Sequence, residues 1–288
     1  MPKIIFYYQT FTELNISKDV THVHLSSIHF GTEADGQPYI HLNNLYPENE
    51  KFDHMWEMLH IANAQGTKII AMIGGAGGGF SSLASNYDVY FQQLVDFLSR
   101  HKIISGIDLD IEESFSLELT TRLIEDIIAI FPHYTICLAP IQSSLENDSP
   151  GLSGFIYKDL LHSSAGKHIS YLNTQFYSNL SLQSFQTIVA NGYDPNLIVV
   201  GSLQGTGDPK VIQQIAAEYP AFGGVFSWEY FNTLPTPQDW VNDMNSIINS
   251  GAAPPRGALG INSERRHNSR SVVHDDVLPF MLWCCTIA

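Results

Sequence analysis

The sequence predicts an α/β fold, a (β/α)8 TIM barrel forming a single domain, and three observations lead to this prediction. Eight short apolar segments alternate with longer segments of helical pattern, which is the element count of such a barrel. Residues 1–250 have a length that is typical of this fold. With 44% hydrophobic and 15% charged residues, the chain can bury a sizeable core. An open, doubly wound sheet is the alternative architecture.

The strand candidates are short apolar runs, and the helix candidates are longer segments whose apolar residues recur on one side. Strands are predicted at residues 4–8, 22–28, 68–73, 106–111, 134–139, 171–176, 197–201 and 224–227. Helices are predicted at residues 52–65, 87–100, 117–131, 181–191, 209–219 and 237–250. In the second helix, Val89, Leu94 and Leu98 form an apolar stripe. Ser116 precedes the third helix and Glu118 lies in its first turn, as is typical of a helix N-terminus.

The composition changes after residue 250. Residues 251–288 are rich in Pro, Gly and Arg, and no helical or strand period runs through them. This segment is therefore predicted to be a non-globular tail outside the barrel of residues 1–250, either disordered or of artificial origin. The alternative is a genuine extension whose apolar end, VLPFMLWCC, docks on a surface.

The net charge of −15 argues against a nucleic-acid partner and against an anionic membrane surface, because both require a basic patch. No apolar run reaches the length of a membrane span. Three cysteines make no disulfide framework. The first residues, MPKIIFYYQ, do not have the pattern of a secretory signal, so the chain is expected either not to be secreted by that route or to have lost its signal.

The loop after the third predicted strand has the sequence GGAGGGF. It lacks the spacing of a dinucleotide-binding fingerprint, and it lacks the Lys-Ser/Thr ending of a P-loop. As a nucleotide signal it is weak. We expect a strand-to-helix turn in which a ligand can approach the backbone of Gly74 and Gly75.

The fourth predicted strand carries three acids on alternate positions, in the segment SGIDLDIEE. Successive side chains of a strand point to opposite faces, so Asp108, Asp110 and Glu112 share one face. In a barrel this face is the lumen, with Glu112 at the mouth and neighbouring acids about 6.5–7 Å apart along the strand.

Like charges this close raise carboxyl pKa values, so part of the row of Asp108, Asp110 and Glu112 should hold protons at neutral pH. A protonated glutamate at a cleft mouth can act as a general acid. A structural acid cluster or a magnesium or calcium site is the alternative.

The acid-bearing segment and five others resemble segments of a known protein family. SGIDLDIE resembles the D-G-x-D-x-D-x-E signature of glycoside hydrolase family 18, which contains chitinases and endo-β-N-acetylglucosaminidases. Further similar segments follow in the family's order: THVHLSSIHFG, GTKIIAMIGGAGGGFSSLAS, ICLAPIQ, NTQFYSN and FGGVFSWEYFN. The glycine-rich segment is especially similar to that of plant-type class III chitinases. The resemblance covers residues 3–248 and leaves the tail uncovered.

The resemblance implies a retaining, substrate-assisted hydrolysis, in which the 2-acetamido oxygen of the sugar attacks the anomeric carbon. Glu112 would protonate the leaving oxygen and later activate water. Asp110 would hydrogen-bond the acetamido N–H, and Asp108 below it would share a proton. Tyr177 would donate its hydroxyl to the acetamido carbonyl. Trp228 would form the apolar floor under the sugar.

Further substrate contacts are expected from residues at the strand ends. These residues are Tyr7, Gly74, Gly75, Gln142 and Gln175. Tyr7 either lines the mouth or packs in the core. The resemblance implies that the partner is chitin or a chitooligosaccharide, with no cofactor and no metal, and that the chain acts as a monomer. The resemblance also implies a secreted protein, whereas the first residues lack a signal pattern, so the compartment stays open.

The sequence departs from the family pattern at three positions. Ser105 stands where the signature has its first Asp, so the bottom of the acid row has lost a charge. Met72 stands where a Ser is usual, which removes a hydroxyl from below the acids. Ser178 follows Tyr177, where Asp or Asn is frequent. We expect activity to survive because the acid, its partner and the tyrosine remain.

Three histidines lie on or near the second predicted strand. His22 and His24 share a strand face, and His29 is nearby. His-x-His is a spacing found in metal sites, but no third ligand is evident. Histidines that line the barrel or lie under a helix are the favoured interpretation.

Two activities and one inactive alternative are compatible with this pattern. The first is an endo-acting chitinase, favoured by the class III similarity. The second is an endo-β-N-acetylglucosaminidase that cuts the chitobiose core of N-glycans. The third is an inactive barrel that binds carbohydrate or a protein, and the presence of Glu112 and Asp110 argues against it.

Overall fold

Eight parallel strands close into a barrel in the computed structural model, which describes residues 1–250. The strands are β1 (Lys3–Tyr8), β2 (His22–Thr32), β3 (Pro38–Leu42), β4 (Lys68–Gly74), β5 (Ile104–Asp110), β6 (Thr135–Leu138), β7 (Ile169–Gln175), β8 (Ile198–Leu203) and β9 (Gly224–Trp228). Strand β1 pairs in parallel with both β2 and β9, which closes the ring, while β3 lies outside it. The predicted (β/α)8 barrel is therefore confirmed, and the open sheet is wrong.

Helices follow the barrel strands and cover their outer side. They are α1 (Asp53–Ala64), α2 (Phe80–Ser85), α3 (Tyr87–Arg100), α4 (Leu117–Ile130), α5 (Gln142–Asn147), α6 (Tyr157–His162), α7 (Leu182–Ala190), α8 (Pro209–Glu218) and α9 (Pro237–Ser250). Side-chain caps fix several starts: the Ser116 hydroxyl accepts the Leu119 N–H at 3.1 Å, and Asp208 accepts the Lys210 N–H at 2.9 Å. The six predicted helices are present. The six-residue helices α2, α5 and α6 were not predicted.

Alternation along the strands separates two apolar layers. On β5, Ile107 and Leu109 face outward and are fully buried between the strands and the helices. The lumen has its own cluster of fully or nearly fully buried side chains: Ile5, Tyr7, Ile70, Met72, Cys137, Tyr171, Val199 and Phe226. The barrel interior is thus a packed core, and the acids of β5 stand above and within it.

The hairpin of β2 and β3 extends the barrel on one side and was not predicted. Strand β2 continues to Thr32, four residues beyond the predicted end, and β3 pairs with this extension in antiparallel register. Gly31 permits the pairing because a Cβ there would lie 2.3 Å from the Tyr39 ring. The pairing depends on this tertiary contact, which explains why local sequence pattern did not indicate it.

Two further expectations concern the predicted tail and membrane spans. The predicted tail, residues 251–288, and the domain boundary at residue 250 lie outside the described residues. In residues 1–250, no helix has both the length and the apolar character of a membrane span.

Candidate active site

The three acids of the β5 segment are arranged from the depth of the lumen to its mouth. Asp108 is fully buried, Asp110 is 5% exposed, and Glu112 is partly exposed. The strand ends at Asp110, so Glu112 lies in the loop that follows and not on the strand as predicted. The predicted order from depth to mouth is present, and Glu112 is the acid that solvent and ligands can reach.

Burial and mutual repulsion favour the protonated forms of the two upper carboxyls. Burial raises the pKa of Asp110 well above its ordinary value, and the charges of Glu112 and Asp108 raise it further. Burial also raises the pKa of Glu112, while a hydrogen bond from Gln175 acts in the opposite direction. At least one proton therefore remains on this pair at a pH where exposed carboxyls are ionised.

Asp108 is held by hydrogen bonds from three other strands. Its Oδ2 atom accepts the Tyr7 hydroxyl at 2.6 Å and an Asn173 amide hydrogen at 3.2 Å, and it lies 2.8 Å from His24 Nδ1. Its Oδ1 atom is buried and has no hydrogen-bond partner among the described residues. Sequence reasoning did not connect His24 or Asn173 with the acid row.

Gln175, Tyr177 and Trp228 stand at the ends of β7 and β9, two strands that β8 separates, above the lumen cluster. The Gln175 amide donates to Asp110 Oδ1 at 3.2 Å and to the Ala139 carbonyl at 3.0 Å. Tyr177 and Trp228 are partly exposed and pack against the lumen cluster, with the Trp228 ring 5.2 Å from that of Tyr7. The structure thus brings these three predicted residues to the same end of the barrel as the acids.

Two other residues that were predicted to contact substrate, Tyr7 and Gln142, make hydrogen bonds to groups other than the two upper carboxyls. Tyr7 is buried beneath the mouth, and its hydroxyl is bonded to Asp108, so a direct substrate contact stays a prediction for it. Gln142 begins α5 and its amide donates to Glu146 at 2.9 Å. This hydrogen bond directs the Gln142 amide to Glu146, whereas the Gln175 amide contacts the acid row directly.

The glycine-rich turn after β4 touches the acid row. Gly74 and Gly75 have φ values of +92° and +80°, which L side chains rarely adopt. A Cβ on Gly74 would lie 2.4 Å from the Asp110 carbonyl oxygen, and one on Gly75 would lie 2.7 Å from Met72 Cε. These glycines allow the turn to pack against β5. A contact with a ligand at this turn stays a prediction.

Glu113 joins the same turn to the loop that carries Glu112, and sequence reasoning missed it. Its carboxylate accepts the backbone N–H groups of Phe80 at 2.7 Å and Ser81 at 3.1 Å, and it also accepts the Ser81 hydroxyl. It therefore caps the start of α2 from the neighbouring strand segment. The sequence offered no signal for this contact, because residues 80 and 113 meet only when β4 and β5 pair.

Comparisons with known proteins decide the family. No protein-family model matches the chain, and no curated protein sequence matches it. A fungal endo-β-N-acetylglucosaminidase from glycosyl hydrolase family 18 is similar in structure, with a TM-score of 0.76 and 32% sequence identity, over 88% of this chain and 100% of that one. The chain belongs to glycoside hydrolase family 18. Family membership makes it a glycosidase and confirms the resemblance of the acid signature.

Other solved structures agree with this family assignment. The chitinase ChiC from Aspergillus fumigatus has a TM-score of 0.74 and 29% identity, over 85% of this chain and 99% of that one. The catalytic domain of a family GH18 chitinase from the fern Peteris ryukyuensis has a TM-score of 0.62 and 15% identity, over 85% of this chain and 98% of that one. At that identity the fern enzyme supports the fold alone.

The three departures from the family 18 signature have distinct surroundings. Ser105 donates its hydroxyl to the Ile69 carbonyl at 3.2 Å, at a point where the pairing of β4 with β5 is irregular. Met72 lies directly beside Asp108 in the sheet and is fully buried. Ser178 is exposed. Met72 thus places a side chain without a hydrogen-bond donor next to the deepest acid.

The three histidines of β2 make separate contacts. His22 Nδ1 lies 2.8 Å from the Thr21 hydroxyl, and His29 lies 2.8 Å from the Ser27 hydroxyl and 3.0 Å from the Gly78 carbonyl. These two histidines therefore do not join His24 in a metal site.

One group of possible metal ligands occurs among residues 1–250. His24, Asp108 and Cys137 each offer one buried atom, and these atoms lie within 4.8 Å of one another. However, His24 and Asp108 are already joined by a direct hydrogen bond of 2.8 Å. The expectation that this family 18 barrel needs no metal stays a prediction.

Gln175 should set the pH range in which this glycosidase is active. Its hydrogen bond lowers the pKa of Glu112, so removal of the amide in Gln175→Leu leaves the raising effect of burial unopposed. We expect the alkaline limb of the kcat/KM profile to move to higher pH by about half a unit to one unit. Gln142→Leu is the matched control, and its pH profile should equal that of the wild type. An unshifted profile for Gln175→Leu would contradict the assigned hydrogen bond.

Proposed function

We propose that the chain is a retaining, endo-acting glycosidase that hydrolyses β-1,4 linkages between N-acetylglucosamine units of chitin or chitooligosaccharides. The observation that carries this proposal is the position of Glu112. It is partly exposed at the mouth, it is paired with a buried Asp110, and its pKa is raised by burial. This is the state that protonation of a leaving glycosidic oxygen requires at moderately acidic to neutral pH.

The proposed reaction proceeds in two steps. Glu112 transfers its proton to the glycosidic oxygen as the C1–O bond breaks, while the acetamido oxygen of the same sugar bonds to C1 and forms an oxazolinium ion. A water then attacks C1 and gives its proton to Glu112, and the C1 bond to the acetamido oxygen breaks. Two displacements at C1 retain the configuration.

Asp110 would support the charge that develops on the sugar. When Glu112 carries the proton, its repulsion of the Asp110 carboxylate is absent, so Asp110 can ionise and accept the acetamido N–H. This hydrogen bond would stabilise the oxazolinium ion and orient the acetamido oxygen toward C1. Contacts that strengthen as charge develops lower the barrier and not only the binding energy.

Tyr177 and Trp228 would complete the site around the reacting sugar. Both are partly exposed at strand ends and rest on the lumen cluster, which restricts their movement. The Tyr177 hydroxyl would donate to the acetamido carbonyl, and the Trp228 ring would lie beneath the apolar face of the sugar. Gln175 is positioned to hold the carboxyl of Asp110 for this purpose.

An endo-β-N-acetylglucosaminidase that cleaves the chitobiose core of N-glycans is the second candidate. The similarity to a fungal endo-β-N-acetylglucosaminidase at 32% identity favours it, and the chemistry of the acid row would be the same. An inactive carbohydrate-binding barrel is the third. The intact pair of Asp110 and Glu112 argues against that possibility.

Two assays distinguish these candidates. The chain is incubated with a fluorogenic chitotrioside and, separately, with an N-glycosylated protein whose deglycosylation is followed by gel shift. Release of the fluorophore without a gel shift supports the chitinase, and the reverse result supports the N-glycan enzyme. Retention on chitin beads without turnover of either substrate would show an inactive binding barrel and would overturn the proposal.

A further inference from the structure

A closed polar cluster lies in the lumen beneath the proposed catalytic carboxyls. It consists of Tyr7, His24, Asp108, Tyr171 and Asn173, each of which is at most 1% exposed. These residues come from β1, β2, β5 and β7, so the cluster exists only because the barrel closes. Neither the resemblance to family 18 nor the proposed reaction assigns a part to His24.

His24 uses both ring nitrogens within this cluster. Its Nδ1 atom lies 2.8 Å from Asp108 Oδ2, and its Nε2 atom lies 3.2 Å from the Tyr171 hydroxyl. A carboxylate can only accept, whereas a tyrosine hydroxyl can donate. Nδ1–H therefore donates to Asp108, while Nε2 lies opposite the Tyr171 hydroxyl.

His24 also provides the basic partner of the acid row. Within residues 1–250, His24 is the basic side chain that has a nitrogen within hydrogen-bond distance of Asp108, Asp110 or Glu112. A buried carboxylate is costly unless hydrogen-bond donors surround it. Met72, which lies beside Asp108 in the sheet, offers none. The donors to Asp108 Oδ2 are thus Tyr7, Asn173 and His24.

We propose that His24 is a positioning residue for the glycosidase reaction, which holds Asp108 fixed as an acceptor so that the mobile proton of the row stays with Asp110 and Glu112. This inference rests on the proposed function and deepens it. Three donors face Oδ2, so this atom acts as an acceptor and the mobile proton is left to the two carboxyls above it. Loss of the His24 donor would leave a weaker hydrogen-bond shell and let Asp108 compete for that proton.

The surroundings of His24 contain few other titratable groups. They are Tyr7 on β1, His22 on β2, Asp108 on β5, Cys137 on β6 and Tyr171 on β7. Burial raises the pKa values of Tyr7, Cys137 and Tyr171 well above their ordinary values, and it lowers that of His22. These four groups therefore stay neutral over the range in which carboxyls titrate. Apart from the titration of His24 itself, a change of the pH profile on substitution of His24 would accordingly report on the acid row.

The test compares His24→Phe, which removes the donor, with His24→Asn, whose amide can reach Asp108 from the same side. His22→Phe is the matched control, because His22 contacts Thr21 and not an acid. For His24→Phe we expect kcat to fall about tenfold with KM changed by less than about twofold. The acid limb of its kcat/KM profile should move to higher pH by about half a unit to one unit, because one donor that favours ionisation of the row is lost. His24→Asn should restore most of kcat and the wild-type profile.

Two results would overturn the positioning role. One is a His24→Phe protein with a lower Tm but a wild-type pH profile, which would indicate packing alone. The other is a His24→Asn protein that fails to restore the profile although it folds. If His24→Phe does not fold, the comparison is made with His24→Gln, whose longer side chain places its amide toward Tyr171. That variant should then show the shifted profile.

A measurement without turnover separates this inference from the proposed function. Nitrogen-15 NMR of the histidine-labelled full chain, with the His24 signals assigned by their loss in His24→Asn, gives the ring tautomer. A protonated Nδ1 is expected, and an unprotonated Nδ1 would overturn the inference. A wild type that cleaves neither substrate would overturn the proposed function, while this tautomer test would still decide the role of His24.

Discussion

The substitution Glu112→Gln is expected to lower kcat on a fluorogenic chitotrioside by about 10³-fold, because glutamine has no proton to give to the leaving oxygen. Glutamine has nearly the same shape, and its amide can still contact Gln175. Binding of chitooligosaccharides should therefore remain within a few-fold of the wild type. Initial rates and isothermal titration calorimetry on the same preparation measure the two effects.

The matched control for this prediction is Glu118→Gln, an exposed acid in the first turn of α4. It removes one negative charge from the same segment without touching the mouth, so its kcat should equal that of the wild type. If Glu112→Gln kept more than a tenth of the wild-type rate, Glu112 would not be the proton donor. Equal losses in both variants would indicate an effect of net charge.

A fully deacetylated chitosan oligomer is expected to bind to the site but to be cleaved at least about 10³-fold more slowly than its acetylated counterpart. The proposed nucleophile is the acetamido oxygen of the substrate, and an intramolecular nucleophile in the correct position accelerates a reaction strongly. An amine at the same position cannot form the oxazolinium ion. Product analysis by mass spectrometry over a time course measures the difference.

Partially acetylated chitosan provides the internal control for this second prediction. Its cleavage products should carry an acetylated unit at the newly formed reducing end, because that unit supplies the acetamido oxygen. Products with glucosamine at this end, or rapid cleavage of the deacetylated oligomer, would contradict substrate assistance. Such a result would point to a carboxylate of the protein as nucleophile, with Asp110 as the nearest candidate.

The local sequence pattern was sufficient to predict the barrel fold and to predict at which end of the barrel the acids lie. The eight parallel strands each carry an apolar run, and the period of two along β5 places Asp108 and Asp110 in the lumen. The same period extended the strand to Glu112 in prediction, whereas the structure ends it at Asp110. Strand ends depend on the pairing of neighbouring strands, and local pattern does not contain that information.

The contacts between distant strands could not be predicted from the sequence. His24 and Asp108 are separated by 84 positions, and Asn173 and Asp108 by 65. Their hydrogen bonds follow from the stagger of the closed barrel, to which every strand contributes. Gln142 and Gln175 illustrate the same limit. Both stand near strand ends, yet Gln175 reaches Asp110 and Gln142 turns to Glu146.

The carboxylate of Glu113 has a consequence for how this enzyme can vary. It ties the start of α2 to the segment in which Glu112, the proposed proton donor, is the preceding residue. Lengthening or shortening either connection would shift the donor relative to the sugar, even if every residue of the chemistry were retained. Differences in substrate preference should therefore arise in other loops at the mouth. The loop between β4 and α2 and the loop after β5, which Glu113 joins, should keep a constant length.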